Sequence, residues 1–300
     1  MKKPSNEHVL ALSGGVGGAK LAFGLSKLLP PEQLTIVANT GDDFEHLGFT
    51  VCPDIDSLLY SLSEINNIEL GWGQEGETWN FLSALERLGG ETWFKLGDRD
   101  LATHIFRAVK LKEGLSLTEV TKLLSDGMAL SHRILPMSDL PVRTTIHCEL
   151  GLLSFQNYFV KERCEPKVNK ITFEGIELAQ LNPAALNIIE QGLKAVVICP
   201  SNPFLSIDPI LSLGGFVEAI KKQGCPVIAV SNIIDGEATK GPAAKLMGEL
   251  GIPRSALGVA RYYQGSYPGL LTHFVLDEKD QKMEKDIVSL GLSTLVAQTL

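Results

Sequence analysis

The chain has 300 residues, of which 44% are hydrophobic and 21% are charged, so it is long enough to bury a large core. Its formal net charge is −8 and it has no basic stripe, which argues against general binding to a nucleic acid backbone. The five cysteines are scattered and odd in number, which argues against disulfides or a zinc site. No apolar run approaches the ~18 residues of a membrane span. We expect a cytoplasmic protein with no nucleic acid and no membrane partner.

The first forty residues predict a βαβ unit. Apolar runs at 9–12 and 34–38 flank an amphipathic segment, which is typical of two parallel strands joined by a helix. Helices are then predicted at 57–62, 78–88 and 100–110. The sequence Ser116-Leu-Thr-Glu119 has the spacing of a capping box and predicts another helix through about Met128.

The middle of the chain changes character. Residues 142–149 and 152–160 are rich in β-formers and flank Gly151, which predicts a hairpin, with a third strand at 170–176. Strands return at 195–199, 227–230, 274–276 and 295–297, with a helix at 241–250. The pattern predicts one α/β domain over residues 1–300. Its sheet is doubly wound, mainly parallel and Rossmann-like, and a mixed α+β insertion occupies about residues 60–185.

A glycine cluster separates the first strand from the first helix. The spacing is neither that of a P-loop nor that of the dinucleotide fingerprint. A bend with few side chains lets backbone N–H groups at a helix N-terminus approach a phosphate. Tight packing of strand against helix is the alternative. The predicted phosphate contacts are Ser13, Gly14, Gly15, Gly17, Gly18 and Lys20.

Two acidic pairs follow the second strand. Asp42 and Asp43 lie in a turn, and Asp54 and Asp56 open a helix. Turn chemistry and the helix dipole explain them without any ligand. Carboxylates are also the ligands that Mg²⁺ takes beside a diphosphate. From the residues alone the two interpretations are evenly balanced.

Polar clusters also follow the later strands. In open α/β sheets the ligand binds beyond the carboxyl ends of the strands, so these clusters are expected to converge. Uncharged groups that suit a base, a sugar or a phosphate are Ser201, Asn202, Ser206 and Ser231, and Lys240 is a further candidate phosphate contact. Arg99, in Leu96-Gly-Asp-Arg-Asp100, either forms a surface ion pair or binds a phosphoryl or planar ligand.

Taken together, these stretches resemble the CofD family, the 2-phospho-L-lactate transferases of coenzyme F-420 synthesis. The matching motifs run in order through nearly the whole chain, and the Gly-Asp-Arg-Asp and Pro-Ser-Asn-Pro elements make the resemblance specific. They are Leu12-Ser-Gly-Gly-Val-Gly-Gly-Ala-Lys20, Asn39-Thr-Gly-Asp-Asp43, Pro53-Asp-Ile-Asp56, Trp93-Phe-Lys-Leu-Gly-Asp-Arg-Asp100, Ile134-Leu-Pro-Met-Ser-Asp139, Pro141-Val-Arg-Thr144, Pro200-Ser-Asn-Pro203 and Gly241-Pro-Ala-Ala-Lys245.

The resemblance implies a reaction. Such enzymes move a phosphorylated three-carbon acid from a guanosine diphosphate-linked donor to the ribityl hydroxyl of the deazaflavin Fo and release GMP, with Mg²⁺ as the cofactor. It implies that Asp43 and Asp56 bind the metal, and that Asp56 and Arg99 contact the deazaflavin. Asp43, Asp56 and Arg99 are then the expected catalytic residues. The family also implies a homodimer.

The chain departs from the family pattern at two loops. The sequence Val230-Ser-Asn-Ile-Ile-Asp-Gly236 differs from the usual motif there, and the glycine loop is of a bacterial type. The resemblance implies that bacterial relatives can use phosphoenolpyruvate or phosphoglycerate donors in place of phospholactate, and the sequence does not select the acid. A non-catalytic nucleotide-sugar-binding regulator of a related glycine-loop family is the main alternative. An NAD(P)-dependent oxidoreductase is a second one, but Asn39 stands where its acidic residue is required.

Overall fold

The computed structural model describes residues 7–299. Its strands are β1 (Val9–Ser13), β2 (Leu34–Ala38), β3 (Phe44–His46), β4 (Phe49–Val51), β5 (Arg133–Pro136), β6 (Arg143–Cys148), β7 (Gly151–Ser154), β8 (Val168–Glu174), β9 (Ala195–Ile198), β10 (Val227–Val230), β11 (Ile233–Ile234), β12 (Glu237–Ala238), β13 (His273–Asp277) and β14 (Ser293–Ala297). Its α-helices are α1 (Gly15–Leu28), α2 (Pro53–Leu62), α3 (Asn80–Arg87), α4 (Asp98–Lys112), α5 (Leu117–Gly127), α6 (Pro183–Gln191), α7 (Asp208–Leu211), α8 (Phe216–Gln223), α9 (Ala243–Glu249), α10 (Ala256–Ser266) and α11 (Glu284–Val288). Short 3₁₀ turns lie at Pro31–Gln33 and Glu278–Met283, and π-turns lie at Asn157–Lys161 and Pro203–Ile207.

Seven parallel strands form the central sheet. From one edge to the other the order is β14, β13, β10, β9, β1, β2 and β5, and every neighbouring pair is parallel. The chain moves outward from β1 in one direction through β2 and β5, and in the other from β9 to β14. The topological switch point therefore lies between β1 and β9. The Rossmann-like fold predicted from the sequence is confirmed.

The sheet is covered on both faces, which explains the composition of its central strands. All five residues of β1 and all five of β2 are buried. On one face they pack against a cluster that includes Ala19 of α1, Ile55 of α2 and Leu124 of α5. On the other face the larger cluster draws on α6 and the helices that follow it, through residues such as Ile189 and Phe216. A strand buried on both sides has a continuous apolar run rather than an alternating one.

The helices follow their sequence signals. Ser116 caps α5 as predicted, because its hydroxyl accepts the N–H of Glu119 while the Glu119 carboxylate accepts the N–H of Ser116 at 2.8 Å. Within residues 7–299, no helix taken singly has the length and apolar composition to cross a membrane. The sharply bent pair Pro203–Leu211 and Phe216–Gln223, at 79°, meets those criteria when its two parts are combined.

A smaller antiparallel sheet, in the order β7, β6, β8, packs beside the main one. The predicted hairpin about Gly151 and its third strand are confirmed. The prediction that the second hairpin strand extends to residue 160 is wrong, because the chain turns helical after Ser154. Phe155 and Tyr158 are both buried there. A strand would have placed residues three apart on opposite faces, whereas a helical turn places them on one.

One strand of the main sheet was not predicted. β5 is four residues long, ends in Pro136 and pairs only with β2. A proline is tolerated there because an edge strand has no partner on its outer side. β5 lies inside the stretch 60–185 that was expected to be an insertion, so this stretch contributes a strand to the main sheet as well as the smaller one. The exact limits of the insertion stay a prediction.

Candidate functional site

The glycine loop lies at the switch point and contacts the loop that follows β9. The N–H of Gly14 donates to Ser201 Oγ at 3.0 Å. A Cβ on Gly17 would stand 2.6 Å from the carbonyl oxygen of Pro200, and one on Gly18 would overlap Ser201 Oγ. Only residues without side chains let the start of α1 come this close to the neighbouring loop.

A cavity of about 620 Å³ opens above this contact. Its polar side is formed by the glycine loop and by the carboxyl ends of the strands on either side of it. Its apolar side is formed by aromatic rings, and three cationic side chains also line it. The aromatic residues are Trp72, Trp93, Phe94, Phe155 and Phe159, and the cations are Lys95, Arg163 and Lys240. A mostly apolar cavity with a few convergent polar groups is the usual form of a small-molecule site.

Asp54 ties the glycine loop to the next strand. Its carboxylate accepts the N–H of Gly15 at 2.7 Å and the amide of Asn39 at 2.9 Å. Burial raises the pKa of Asp54 to about 6, although these two hydrogen bonds oppose the shift. Both oxygens of Asp54 are thus engaged within the protein, so we assign this carboxylate to holding the loop in place.

Asp42 and Asp43 lie in the turn after β2, and both are buried. The turn is fixed by Asn39, whose side-chain oxygen accepts the N–H of Gly41, and by Thr144, whose N–H donates to the carbonyl of Gly41 at 2.7 Å. Burial, with the charges of Asp54 and Asp43, raises the pKa of Asp42 well above its ordinary range. Burial also raises the pKa of Asp43 to about 8. Oδ1 of each carboxyl has no hydrogen-bond partner.

Asp56, two residues after Asp54 in α2, lies in a buried polar cluster. It forms an ion pair with Arg107, and His104 Nδ1 lies 3.8 Å from its second oxygen, Oδ2. Oδ2 has no hydrogen-bond partner. Burial raises the pKa of Asp56, partly offset by the positive charge of Arg107. Asp56 and His104 line a side pocket of about 90 Å³ that shares Trp72 and Lys95 with the main cavity.

A second, more polar cavity of about 610 Å³ lies beside the first. Asp42 lines both, and Asp43 faces the second one together with Arg143. The buried carboxylates therefore stand where the two cavities and the side pocket approach one another. Opposite charges compensate only part of this acidic cluster.

More than half of the predicted phosphate and nucleotide contacts line the main cavity. These are Gly14, Gly15, Gly17, Ser201, Asn202 and Ser206. Lys20 does not line it and is exposed. Five residues along a helix amount to about 500°, so Lys20 faces a different direction from Gly15 at the start of α1.

The other predicted contacts lie around the cavity rather than on its wall. Ser13 is buried with its hydroxyl unpartnered, and Gly18 packs against it. Ser231 donates to the carbonyl of Ile233 at 2.8 Å, so its hydroxyl holds a turn. Arg99 is exposed and donates to the carbonyl of Glu75 at 2.7 Å, outside the main cavity.

Several residues of the cavity were not predicted as site residues, although Trp93, Phe94 and Lys95 lie within one of the family motifs. Lys95 and Arg163 come from the region of the predicted insertion, and the aromatic wall comes from three separated stretches of it. Their spacing along the chain does not identify them as site residues, because they meet only when the loops fold over the sheet. Lys240, noted for its position before a helix, does line the cavity.

The acidic cluster fits a divalent cation. Asp43 and Asp56, the predicted ligands, each carry a buried oxygen without a partner, and so does Asp42. Mg²⁺ is commonly held by one or two carboxylates and completes its shell with water and substrate phosphate. Within residues 7–299, no group of three or more His, Cys, Asp or Glu side chains is placed to hold a metal ion. The metal assignment stays a prediction.

Known proteins similar to this chain share nearly its whole length. A 2-phospho-L-lactate transferase of Methanosarcina mazei is 41% identical over 292 residues, which cover 97% of this chain and 94% of the relative. A phosphoenolpyruvate transferase of Streptomyces griseus is 37% identical over 290 residues, covering 95% of this chain and 90% of the relative. These two relatives are named for different acids.

Solved structures support the fold alone. A crystal structure of a UPF0052-family protein from Bacillus halodurans is similar with a TM-score of 0.66 and 14% identity, over 98% of this chain and 93% of that one.

The family model described as 2-phospho-L-lactate transferase CofD matches residues 9–290. The glycine loop, the acidic turn and the motifs named above all fall within that match, and the chain is a member of the CofD family of transferases.

Proposed function

We propose that this enzyme transfers a phosphorylated three-carbon acid from a guanosine diphosphate-linked donor to the ribityl hydroxyl of the deazaflavin Fo and releases GMP. The observation that carries the proposal is the position of the acidic cluster. Carboxylates with unpartnered oxygens adjoin a cavity whose other walls are a glycine loop at the switch point and a set of aromatic rings. A diphosphate, a metal and a planar acceptor can meet there.

The donor is proposed to bind at the glycine loop. The N–H groups at the start of α1 are aligned with the helix dipole and favour a phosphate. Ser201, Asn202 and Ser206 offer uncharged groups to the nucleotide, and the amide nitrogen of Asn202 is buried without a partner. Lys240 supplies positive charge on the same cavity.

The acceptor is proposed to bind at the aromatic end. Planar rings such as Trp72 and Trp93 line this end, and aromatic rings of this kind favour stacking with a tricyclic ring system. Asp56 lines the side pocket that continues from this end, within reach of a hydroxyl on a flexible chain. Arg99 opens α4 next to this pocket and remains the proposed second contact.

Mg²⁺ is the proposed cofactor, with Asp43 and Asp56 as its protein ligands. When bound, it would neutralise charge on the diphosphate and on the oxygens of the attacked phosphorus. The protein itself has to align the two substrates, because displacement at phosphorus depends mainly on positioning and charge stabilisation.

The proposed step is a direct displacement. The ribityl oxygen forms a bond to the phosphorus that carries the three-carbon acid, and the bond from that phosphorus to the oxygen of GMP breaks. The hydroxyl proton passes to a base, for which Asp56 is the nearest candidate, or to water. The product is a phosphodiester, and no covalent enzyme intermediate is required.

The test is incubation of the purified protein with Fo, Mg²⁺ and each of three donors, guanylylated phospholactate, phosphoenolpyruvate and phosphoglycerate, followed by mass spectrometry. We expect one phosphodiester product and GMP in equal amounts, and their masses identify the acid. GDP binding without any product, together with no response of Fo fluorescence, would instead support a nucleotide-binding regulator.

Three variants test the assigned residues. Asp43→Ala and Asp56→Ala should each abolish turnover with Mg²⁺ present, and near-normal rates would reject the metal assignment. Arg99→Ala should weaken the use of Fo while GDP binding survives. Loss of GDP binding in that variant would move Arg99 to the donor site.

A further inference from the structure

Three residues of α4 form a stripe that the proposed reaction does not use directly. Asp100, His104 and Arg107 follow one another at spacings of four and three residues, so they lie on one face of the helix. All three are buried, and the Arg107 side chain is among the largest fully buried side chains of the described residues. The face points at α2, which carries Asp56 and Tyr60.

Arg107 is held in one geometry by several acceptors. Its guanidinium pairs with Oδ1 of Asp56, donates to His104 Nδ1 at 3.1 Å and donates to the carbonyl of Thr50 at 3.3 Å. A fully buried guanidinium is costly unless its charge is paired and its donors are satisfied. The charge of Arg107 is paired and both of its terminal nitrogens donate, while its Nε has no hydrogen-bond partner. Burial lowers the pKa of Arg107, but Asp56 raises it by more, so the guanidinium stays charged.

The other two members of the stripe support this geometry. Because His104 Nδ1 accepts from Arg107, its Nε2 carries the proton, and this atom lies 3.3 Å from Oδ1 of Asp100, an electrostatic contact rather than a hydrogen bond. The same oxygen accepts the hydroxyl of Tyr60 at 2.6 Å. Burial would raise the pKa of Asp100, but the interactions with His104 and Tyr60 lower it overall. Asp100 thus orients the imidazole that orients Arg107.

We propose that Asp100, His104 and Arg107 are positioning residues that present one oxygen of Asp56 to the reaction site. Arg107 occupies Oδ1 and leaves Oδ2, a buried atom without a hydrogen-bond partner, available for the metal or the attacking hydroxyl. The inference rests on the proposed function, and it gives a physical role to the helix that the Gly-Asp-Arg-Asp motif opens.

A positioning role and a purely electrostatic role predict opposite effects on metal affinity. Arg107 carries a positive charge beside a proposed cation site, so removing that charge alone should tighten the binding of a divalent cation. If Arg107 instead fixes the rotamer of Asp56, its removal frees the carboxylate to turn and should weaken binding. The sign of the change distinguishes the two.

The first measurement is Mn²⁺ affinity in the presence of GDP, read from the electron paramagnetic resonance signal of free Mn²⁺. We expect Arg107→Met to bind Mn²⁺ at least fivefold more weakly than the unmodified protein, and Arg107→Lys to recover only part of the loss because an ammonium lacks the planar fork. Ile189→Ala, a buried truncation in α6 that lines none of the cavities described, controls for lost stability and should bind normally. Equal or tighter binding by Arg107→Met, or no Mn²⁺ binding by the unmodified protein, would overturn the inference.

The second measurement separates kcat from KM. In Arg107→Met we expect kcat to fall at least 100-fold while KM for the donor stays within threefold, since the glycine-loop contacts are intact. His104→Ala should lower kcat by a smaller factor, about tenfold. An unchanged kcat, or a loss confined to KM, would overturn the positioning role. If the unmodified protein turned over none of the donors, the proposed function would fail, while the Mn²⁺ measurement would still decide the role of Arg107.

Discussion

Gly17 and Gly24 provide a matched pair of glycines within α1. Gly17 lies in the first turn of the helix and Gly24 in its interior, and neither has a positive φ. A Cβ on Gly17 would stand 2.6 Å from the carbonyl oxygen of Pro200, whereas a Cβ on Gly24 meets nothing within 4 Å. Substituting each with alanine therefore isolates the close approach between the glycine loop and the β9 loop.

The expected magnitudes follow from two terms. Replacing glycine by alanine in a helix interior stabilises by about 0.5–1 kcal/mol, a term that applies in full to Gly24 and less to Gly17 in the first turn. Gly17→Ala must also push a backbone carbonyl away by several tenths of an ångström, and overpacking of this kind costs about 1–3 kcal/mol. Gly24→Ala should thus be the more stable of the two by about 1–3 kcal/mol, or roughly 2–6 °C in Tm.

Thermal unfolding and GDP titration check the pair together. Gly24→Ala should melt slightly above the unmodified protein and bind GDP equally well. Gly17→Ala should melt below Gly24→Ala and lose about tenfold or more in GDP affinity, because the displaced loop lines the cavity. Equal melting temperatures and equal affinities in the two variants would refute the argument that this approach requires glycine.

Three further variants test other contacts. Asp54→Ala leaves the two donors that bind its carboxylate unsatisfied. It should lower the free energy of unfolding, measured in urea, by about 2–5 kcal/mol. A decrease below about 1 kcal/mol would contradict the assignment of Asp54 to holding the glycine loop in place. Burial raises the pKa of Asp208 to about 7, so its contribution to stability is present below pH 3.8 and is lost as the pH rises to about 7. Between pH 4 and pH 8, the free energy of unfolding of Asp208→Asn should rise by on the order of 4 kcal/mol relative to that of the unmodified protein. A difference in unfolding free energy that does not change with pH would reject this assignment. Ser116→Ala should lower the free energy of unfolding by about 1 kcal/mol, and no change would mean that the capping box is not needed.

Local patterns were sufficient for the elements of the main sheet. The apolar runs of β1, β2, β9 and β10 are bounded by glycine or polar turns, so their position and parallel arrangement could be read directly. β5 could not be predicted from the sequence, because four residues that end in Pro136 are too few to show a hydrophobic periodicity. Only their pairing with β2 makes them a strand. Likewise, the residues after Ser154 have β propensity but turn helical where Phe155 and Tyr158 pack into the core.

The sequence by itself determined the family, the Rossmann-like class and the loops that would converge, because these depend on turn chemistry and short-range spacing. Only the tertiary structure decided how the four aspartates divide their roles. Asp54 hydrogen-bonds to the glycine loop, while Asp56 pairs with Arg107, which lies 51 residues away along the chain. Spacing along a chain cannot encode such pairings, since burial of a charge and the direction of its partner are set by how α2 and α4 pack.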